Sequence, residues 1–456
     1  MKKYIDIISN IVNRIGGECY LIGGYVRDKL FNPQNDPQDI DLVYKGNFEL
    51  LISELKLKEI NFFALKKEVG IYRASIDGYT IDLCKMKGNN INDDLEKRDF
   101  TVNSIALKLV DNKIFDPYKG KKSIESRTLM QTSTSSIKND PIRILRGVRL
   151  CVKYQMHFNL ETKQNIRNEA ANLKLCKKER FQLEFMKLIE SDDTGMAFEL
   201  LDNYEILKHI LPYIEELKTV GKCKYHVEDA YDHMNRTYMT FRDFLKGKLS
   251  IDGINVSEFS EKIGSFKKES FVAIAAFSHD IGKYNSCKIK EEKVSFFGHE
   301  KVGTQIMVTT LDELGFSKPA TKLIVNIIEA HMFPLEFYKS NQQNKKEAYY
   351  KFFVKYDGYV QEILVISLCD IYATDYYNTR CDLDKYKLFI QKLQLEYNEY
   401  RRLKRDKLID GNDIIRVTGV KGENIKVIVE DIERLRYLKK LNSKKDVLEY
   451  IEKFKI

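Results

Sequence analysis

A glycine pair, Gly23-Gly24, followed at short range by Asp39-Ile40-Asp41 constrains this chain more than any other feature. Cys19 to Ile22 is an apolar run that breaks at the glycines. A helical segment carrying Arg27 and Asp28 follows, and Asp39 to Val43 opens a new strand. The predicted order is strand, turn, helix, strand. Side chains alternate faces along a strand, so Asp39 and Asp41 share one face while Ile40 and Leu42 take the other. Neighbouring carboxylates repel, and a divalent cation removes that repulsion; Mg²⁺ is commonly held by one or two carboxylates together with substrate phosphates. Glycines let the backbone approach a ligand closely, and a helix N-terminus favours an anion. These parts suit a nucleoside triphosphate held by backbone amides, with its Mg²⁺ on Asp39 and Asp41. Taken alone, an Asp-x-Asp pair is more simply a turn leading into a polar edge strand.

The chain of 456 residues exceeds one ordinary core, which predicts two to four domains. Hydrophobic residues at 43%, with 11% aromatic, exclude a disordered chain. The net charge of +9, from 76 basic against 67 acidic residues, is a mild excess that fits an RNA partner. The start, Met1-Lys2-Lys3-Tyr4-Ile5-Asp6, lacks the apolar core of a signal peptide, and runs such as Phe271 to Phe277 are too short to span a bilayer. Eight scattered cysteines include no Cys-x-x-Cys pair. The expectation is a cytoplasmic protein with free thiols and no membrane partner.

Residues 1 to 18 read as an amphipathic helix with Ile5, Ile8, Ile11, Val12 and Ile15 on one stripe. A helical stretch from Phe48 to Lys58 precedes a hairpin, Val69 to Ile76 and Tyr79 to Leu83, turning at Asp77-Gly78. Asp82 on the returning strand is a candidate third carboxylate, or an edge-strand aspartate in solvent. Arg98-Asp99-Phe100-Thr101-Val102-Asn103 leads into an apolar helix or strand that runs to Val110. Residues 130 to 215 are helical in pattern: Asp140-Pro141 opens one helix, on which Arg143, Arg146 and Arg149 recur along one face. Such a row by itself could simply be solvated.

The series Gly23-Gly24-Tyr25-Val26-Arg27-Asp28, Asp39-Ile40-Asp41 and Arg98 to Asn103 resembles the head of the class II tRNA nucleotidyltransferase and bacterial poly(A) polymerase family, which includes the CCA-adding enzymes. Asp116-Pro117-Tyr118-Lys119-Gly120 matches the next motif and Glu179-Arg180-Phe181 the last. The resemblance implies that Asp39 and Asp41 hold Mg²⁺, with Asp82 a candidate third catalytic group, and that Gly23, Gly24 and Arg27 grip the triphosphate. It places Arg98, Asp99 and Asn103 on the sugar and phosphates. The arginine row matches the template helix, where Asp140 and Arg143 read the base edge, with Arg146 and Arg149 further along. A carboxylate accepts from an exocyclic amine while arginine donates, a combination that suits C and A. This chain departs from the family pattern at Lys97, where a second arginine is usual, and at Asn139, where glutamate is usual. The segment Leu83 to Asp93 is short for a full CCA-adding enzyme, which leaves partial addition and poly(A) synthesis as alternatives.

Beyond Lys218 the chemistry changes. Five of seven histidines lie between 226 and 331: His226, His233, His279, His299 and His331. With Asp280 and Asp370, their order resembles the HD superfamily of metal-dependent phosphohydrolases. That resemblance implies a divalent transition metal (Ni, Mn, Co, Fe or Zn) on His233, His279, Asp280 and Asp370, with His299 and His331 where some members bind a second metal. A hydrolase in which the head only positions RNA is the alternative of a different class. Asp410 to Ile414 and Gly419 to Gly422 resemble a tail module. The basic clusters at Arg401-Arg402 and Lys439-Lys440 could follow an RNA backbone, and solvated helix faces explain them equally well. The expected fold is α+β and multidomain. It comprises a nucleotidyltransferase-type α/β head (1–125), a helical neck that recognises the base (126–217), an all-helical HD domain (218–375) and a helical tail (376–456). The expected partners are tRNA, CTP and ATP.

Overall fold

The computed structural model describes residues 2–66, 68, 70–221, 228–290, 293–340, 345–375 and 382–455. Val69, expected to open the hairpin, and His226 lie outside them. The chain divides into two compact units, 1–193 with 199–210, and 194–198 with 211–456.

The first unit is built on a seven-stranded sheet. In chain order its elements are α1 (Lys2–Ile15), β1 (Glu18–Ile22), α2 (Gly24–Phe31), β2 (Asp39–Lys45), α3 (Phe48–Lys56), β3 (Phe63–Lys66), β4 (Ile71–Ile76), β5 (Tyr79–Lys85), α4 (Ile91–Glu96), β6 (Ala106–Lys108), β7 (Ile114–Phe115) and α5 (Gly120–Glu125). The strand order is β3-β4-β5-β2-β1-β6-β7, with β2 and β5 parallel. Helix α1 buries Tyr4, Ile8, Ile11 and Val12, the centre of the stripe read from its periodicity. The hairpin turns at Asp77-Gly78, both in the left-handed region. The segment after Asp99 is neither a long helix nor a long strand. It makes a single 3₁₀ turn, Thr101–Asn103, and then the three-residue β6. Asp99 explains the break: its Oδ1 accepts from the Phe100 amide and from Asn103 Nδ2, a local pattern that competes with regular structure.

The helix Arg143–Tyr154 buries Ile144, Leu145, Val148, Leu150, Cys151 and Val152 and turns its arginines away from that core. Gly147 permits this docking, since a Cβ there would lie 2.7 Å from the Phe100 ring and 2.8 Å from that of Phe158. It packs on the helix Lys178–Glu190, which buries Phe181, Phe185, Met186, Leu188 and Ile189.

Among its described residues the second unit is helical apart from two short ribbons, Lys262–Ile263 with Phe266–Lys267 and Lys288–Lys290 with Lys293–Ser295. Every residue of Lys268–Ser278 from Ser270 onward is buried, so this helix forms the centre of the unit. Ala230–Leu245 and Val360–Asp375 pack against it and against each other. At the C-terminal end, Gly411–Thr418, Glu423–Tyr437 and Lys444–Ile451 share a core of Ile414, Ile428, Ile432, Val447 and Ile451. Capping boxes at Asp410/Asp413 and Ser443/Asp446 fix two of their starts. Among the described residues no helix is long and apolar enough to cross a membrane.

Candidate active site and metal centre

In the first unit, β2 carries Asp39 and Asp41 on one face. The parallel register sets Asp41 beside Asp82 of β5, so three carboxylates gather there. Asp39 is exposed and Asp41 half-buried. Burial raises the Asp41 carboxyl above its usual range; Arg98 opposes the shift while Asp82 and Asp39 add to it. Asp82 is held by Arg73 of β4, whose Nε and Nη2 each reach a carboxylate oxygen at 2.7 Å. Gly23 starts α2 at φ +65°, and a Cβ there would stand 3.1 Å from Asp41 Oδ2 and 3.2 Å from Arg98 Nη1. Glycine therefore brings the helix start against the carboxylate and its neighbouring guanidinium. This set suits a hard cation: oxygen donors, an excess of negative charge, and an open side where phosphates can complete the coordination.

The remaining head and neck residues form one connected network. Arg27 is buried, and its guanidinium donates to Asp28 Oδ1 (2.8 Å), Asn103 Oδ1 (2.7 Å) and the Tyr154 hydroxyl (3.0 Å). It thereby ties α2 to the arginine-bearing helix, with its donors directed inward. Asp99 is buried too, and Arg146 Nη1 reaches its Oδ2 at 3.1 Å. Burial would raise the Asp99 carboxyl, yet Arg146 and the hydrogen bonds from Asn103 and Phe100 hold it below its usual range. Arg143 donates to the carbonyls of Arg98 (3.0 Å) and Lys97 (2.8 Å) and to Ser136 Oγ (2.6 Å). Asp140 accepts from Arg180 at 2.8 Å. Glu184, which sequence reasoning missed, is buried and receives Arg146 (3.3 Å) and Arg149 (3.2 Å). The helix carries three glutamates, Glu179, Glu184 and Glu190, and nothing local in the sequence sets Glu184 apart. Asp116 accepts from the Gly120 and Lys121 amides at 2.6 and 3.0 Å, capping α5.

In the second unit, six side chains from five places in the sequence converge. His233 Nε2 lies 2.8 Å from Asp370 Oδ1 and 3.2 Å from His279 Nε2. His279 Nε2 is 3.2 Å from Asp280 Oδ2, and His299 Nε2 is 3.1 Å from Asp280 Oδ1. His331 Nε2 lies 3.4 Å from His299 Nε2. His279, His299 and His331 each direct Nδ1 to the carbonyl three residues earlier, at Ala276 (2.9 Å), Phe296 (2.8 Å) and Ile328 (2.7 Å). An Nδ1–H donated there leaves the Nε2 lone pair facing the centre, the tautomer a metal ligand requires. Burial would lower His233, but hydrogen bonds with Asp370 and Glu228 raise it to about 9. Burial, with His279 and His299 nearby, pushes His331 down to about 3. Lys283 lies 2.6 Å from Asp280 and is buried. Two groups, His233/His279/Asp370 and His279/Asp280/His331, each place their ligand atoms within 4.8 Å of one another. Imidazole with carboxylate is the donor set of a divalent metal, and the residues present fit one.

Three segments match known families: residues 19–130 the poly(A) polymerase head domain, 155–218 a probable RNA- and SrmB-binding site of polymerase A, and 254–378 the HD domain. By these matches the chain is similar to poly(A) polymerases in its head and to HD domains further on. It is similar to a CC-adding tRNA nucleotidyltransferase of Synechocystis sp., 31% identical over 38% of this chain and 42% of that protein. An A-adding tRNA nucleotidyltransferase of Deinococcus radiodurans is 25% identical over 69% of each. The match thus spans under half the length of the first relative. In fold the chain resembles the Thermotoga maritima CCA-adding enzyme complexed with tRNA, with a TM-score of 0.64 at 17% identity, over 98% of this chain and 94% of that one. The HD match begins downstream of His233, which the helix Ala230–Leu245 nevertheless delivers to Asp370.

Proposed function

We propose that this chain is a template-independent nucleotidyltransferase that adds CCA, or part of it, to tRNA 3′ ends from CTP and ATP. The observation that carries the reading is the carboxylate row of β2 and β5 set against the Gly23 helix start and Arg98. The relatives named for CC and A addition, and the tRNA-bound enzyme of the same fold, support it. Mg²⁺ held by Asp39 and Asp41 would lower the pKa of the attacking 3′ hydroxyl and neutralise the departing pyrophosphate. The backbone at Gly23-Gly24 and Arg98 meet the triphosphate. Arg180 on Asp140 Oδ2 orients that carboxylate toward an exocyclic amine, and Arg143, anchored on the Lys97 and Arg98 carbonyls, begins the base-reading helix three residues on. Asp99, Asn103, Arg27, Arg146 and Arg149 act through this network by keeping the helix registered on the head. Between Lys85, which ends β5, and Ile91, which begins α4, only residues 86–90 remain, and this short connection bears on which nucleotides are accepted. Incubating the protein with tRNA lacking its 3′ end and labelled CTP, ATP or both tests the reading. Ordered addition of C, with or without a terminal A, supports it. Addition of A alone in long runs would favour poly(A) synthesis, and no incorporation would overturn the reading.

The histidine cluster supports a second activity, metal-dependent phosphoester hydrolysis. His233, His279, Asp280, His299, His331 and Asp370 would hold a transition metal, which supplies a nucleophilic water at neutral pH. Lys283 keeps Asp280 ionised and oriented. Hydrolysis of a phosphodiester on addition of Ni²⁺, Mn²⁺ or Co²⁺, lost in His279→Ala, is the expected result; hydrolysis unchanged by that substitution contradicts the assignment.

A further inference from the structure

The register of the β4–β5 hairpin decides what Asp82 can do. Arg73 of β4 pairs with Asp82 of β5, and Asp82 with Asp41 of β2, so guanidinium and two carboxylates stand in a row across three strands. Both Asp82 oxygens are taken by one planar fork, Nε and Nη2 at 2.7 Å each. The pair is half-buried, with side chains 41% and 23% exposed. Bidentate geometry of this kind is the strongest form of a carboxylate–arginine contact, and it occupies the in-plane acceptor positions a metal would otherwise use. Arg98 flanks Asp41 on the side of Gly23. Arg73 thus neutralises one of the three carboxylates, while Arg98 stands near Asp41 but is ion-paired with Asp94 at 3.3 Å.

We propose that Arg73 is a built-in counter-ion that withholds Asp82 from the metal, so that the head binds its cations through Asp39 and Asp41 alone. Asp82 is then a positioning residue acting through Arg73. This inference rests on the reading that Asp39 and Asp41 hold divalent cations. The affinity of an oxygen-ligand site rises with its number of charged ligands, so a site kept at two carboxylates holds Mg²⁺ weakly until a triphosphate adds its own oxygens. Arg73 thereby couples metal binding to nucleotide binding. Lysine in its place would satisfy one oxygen at a time and release the carboxylate in part.

The test is Mn²⁺ binding by the full chain without nucleotide, read from the free-ion paramagnetic resonance signal. The histidine cluster contributes equally to every variant, so differences report the head. Arg73→Met should tighten one class of Mn²⁺ site by roughly ten-fold, the effect of one unpaired carboxylate at short range. Arg73→Lys should fall between, and Arg73→Met with Asp82→Asn should return to the native affinity. The Mg²⁺ concentration for half-maximal addition should fall in parallel for Arg73→Met. Unchanged or weaker Mn²⁺ binding in Arg73→Met, with native circular dichroism, overturns the proposal. So does a gain that persists when Asp82 is also replaced, because the effect is then one of net charge alone. Arg73→Gln, which removes the charge and keeps a polar side chain, serves if the methionine variant does not fold. The underlying reading fails separately if Asp41→Ala leaves Mn²⁺ binding in the presence of CTP unchanged.

Discussion

In the head, Asp39 lies exposed and Asp41 half-buried on the face of a sheet, with Asp82 and the guanidiniums of Arg73 and Arg98 around them. In the histidine cluster, all six candidate ligands are buried, and three imidazoles are locked by backbone carbonyls into one tautomer. The first arrangement offers few donors, all oxygen, and leaves coordination to be completed from outside. The second offers a nearly complete, nitrogen-rich set before anything binds. Hard oxygen donors suit Mg²⁺ delivered with a nucleotide, whereas imidazoles prefer a resident transition metal. Two centres in one chain thus differ in ligand softness, in burial and in how far each is organised before its substrate arrives.

The largest expected effect concerns the open site. Asp41→Ala should lower nucleotide addition by roughly 10³-fold or more, since metal stabilisation of developing charge is worth several kcal/mol, while tRNA affinity in a filter-binding assay stays within a few fold. Addition at more than a tenth of the native rate would remove the distinction between the centres. Next in size is the network that supports the open site. Glu184→Gln leaves Arg146 and Arg149 without their shared carboxylate, and the expected cost is about 2 kcal/mol by denaturant unfolding, moderated because Arg146 is partly solvated. A change below a few tenths would show the network to be inert. Arg143→Ala should then cut discrimination for CTP and ATP over UTP and GTP by about ten- to a hundred-fold, a loss of roughly 1–3 kcal/mol. Full selectivity in competition assays would move base reading elsewhere. The smallest effect is one of pH. Asp99 sits below its usual pKa in the folded protein, so its stabilisation is present above the unfolded value of about 3.9 and is lost as pH falls through the folded one. Asp99→Asn should flatten that acid limb of the stability curve; an unaltered limb would assign acid sensitivity to other carboxylates.

The sequence made some of this legible for definite reasons. Alternation placed Asp39 and Asp41 together, turn chemistry at Asp77-Gly78 gave the hairpin, and three-residue spacing put Arg143, Arg146 and Arg149 on one face. Local rules of period and turn suffice there. Arg73 on Asp82 depends on pairing register, and Glu184 between two arginines on how two helices dock; neither has a local signature. The place of Arg27 in its motif suggests a phosphate contact, but Tyr154, 127 positions away, helps fix its direction. The six-residue convergence of histidines and aspartates was suggested by clustering and resemblance; their closing distances come from packing around Lys268–Ser278.

The two centres are expected to work independently on different metals. The direct measurement is Mg²⁺-supported nucleotide addition by Asp280→Ala, with bound transition metal determined on the same preparation. The expected result is loss of the bound metal and of metal-stimulated hydrolysis, with addition retained within about three-fold, because Asp280 lies among the imidazoles. Loss of addition in a protein with native circular dichroism would contradict it.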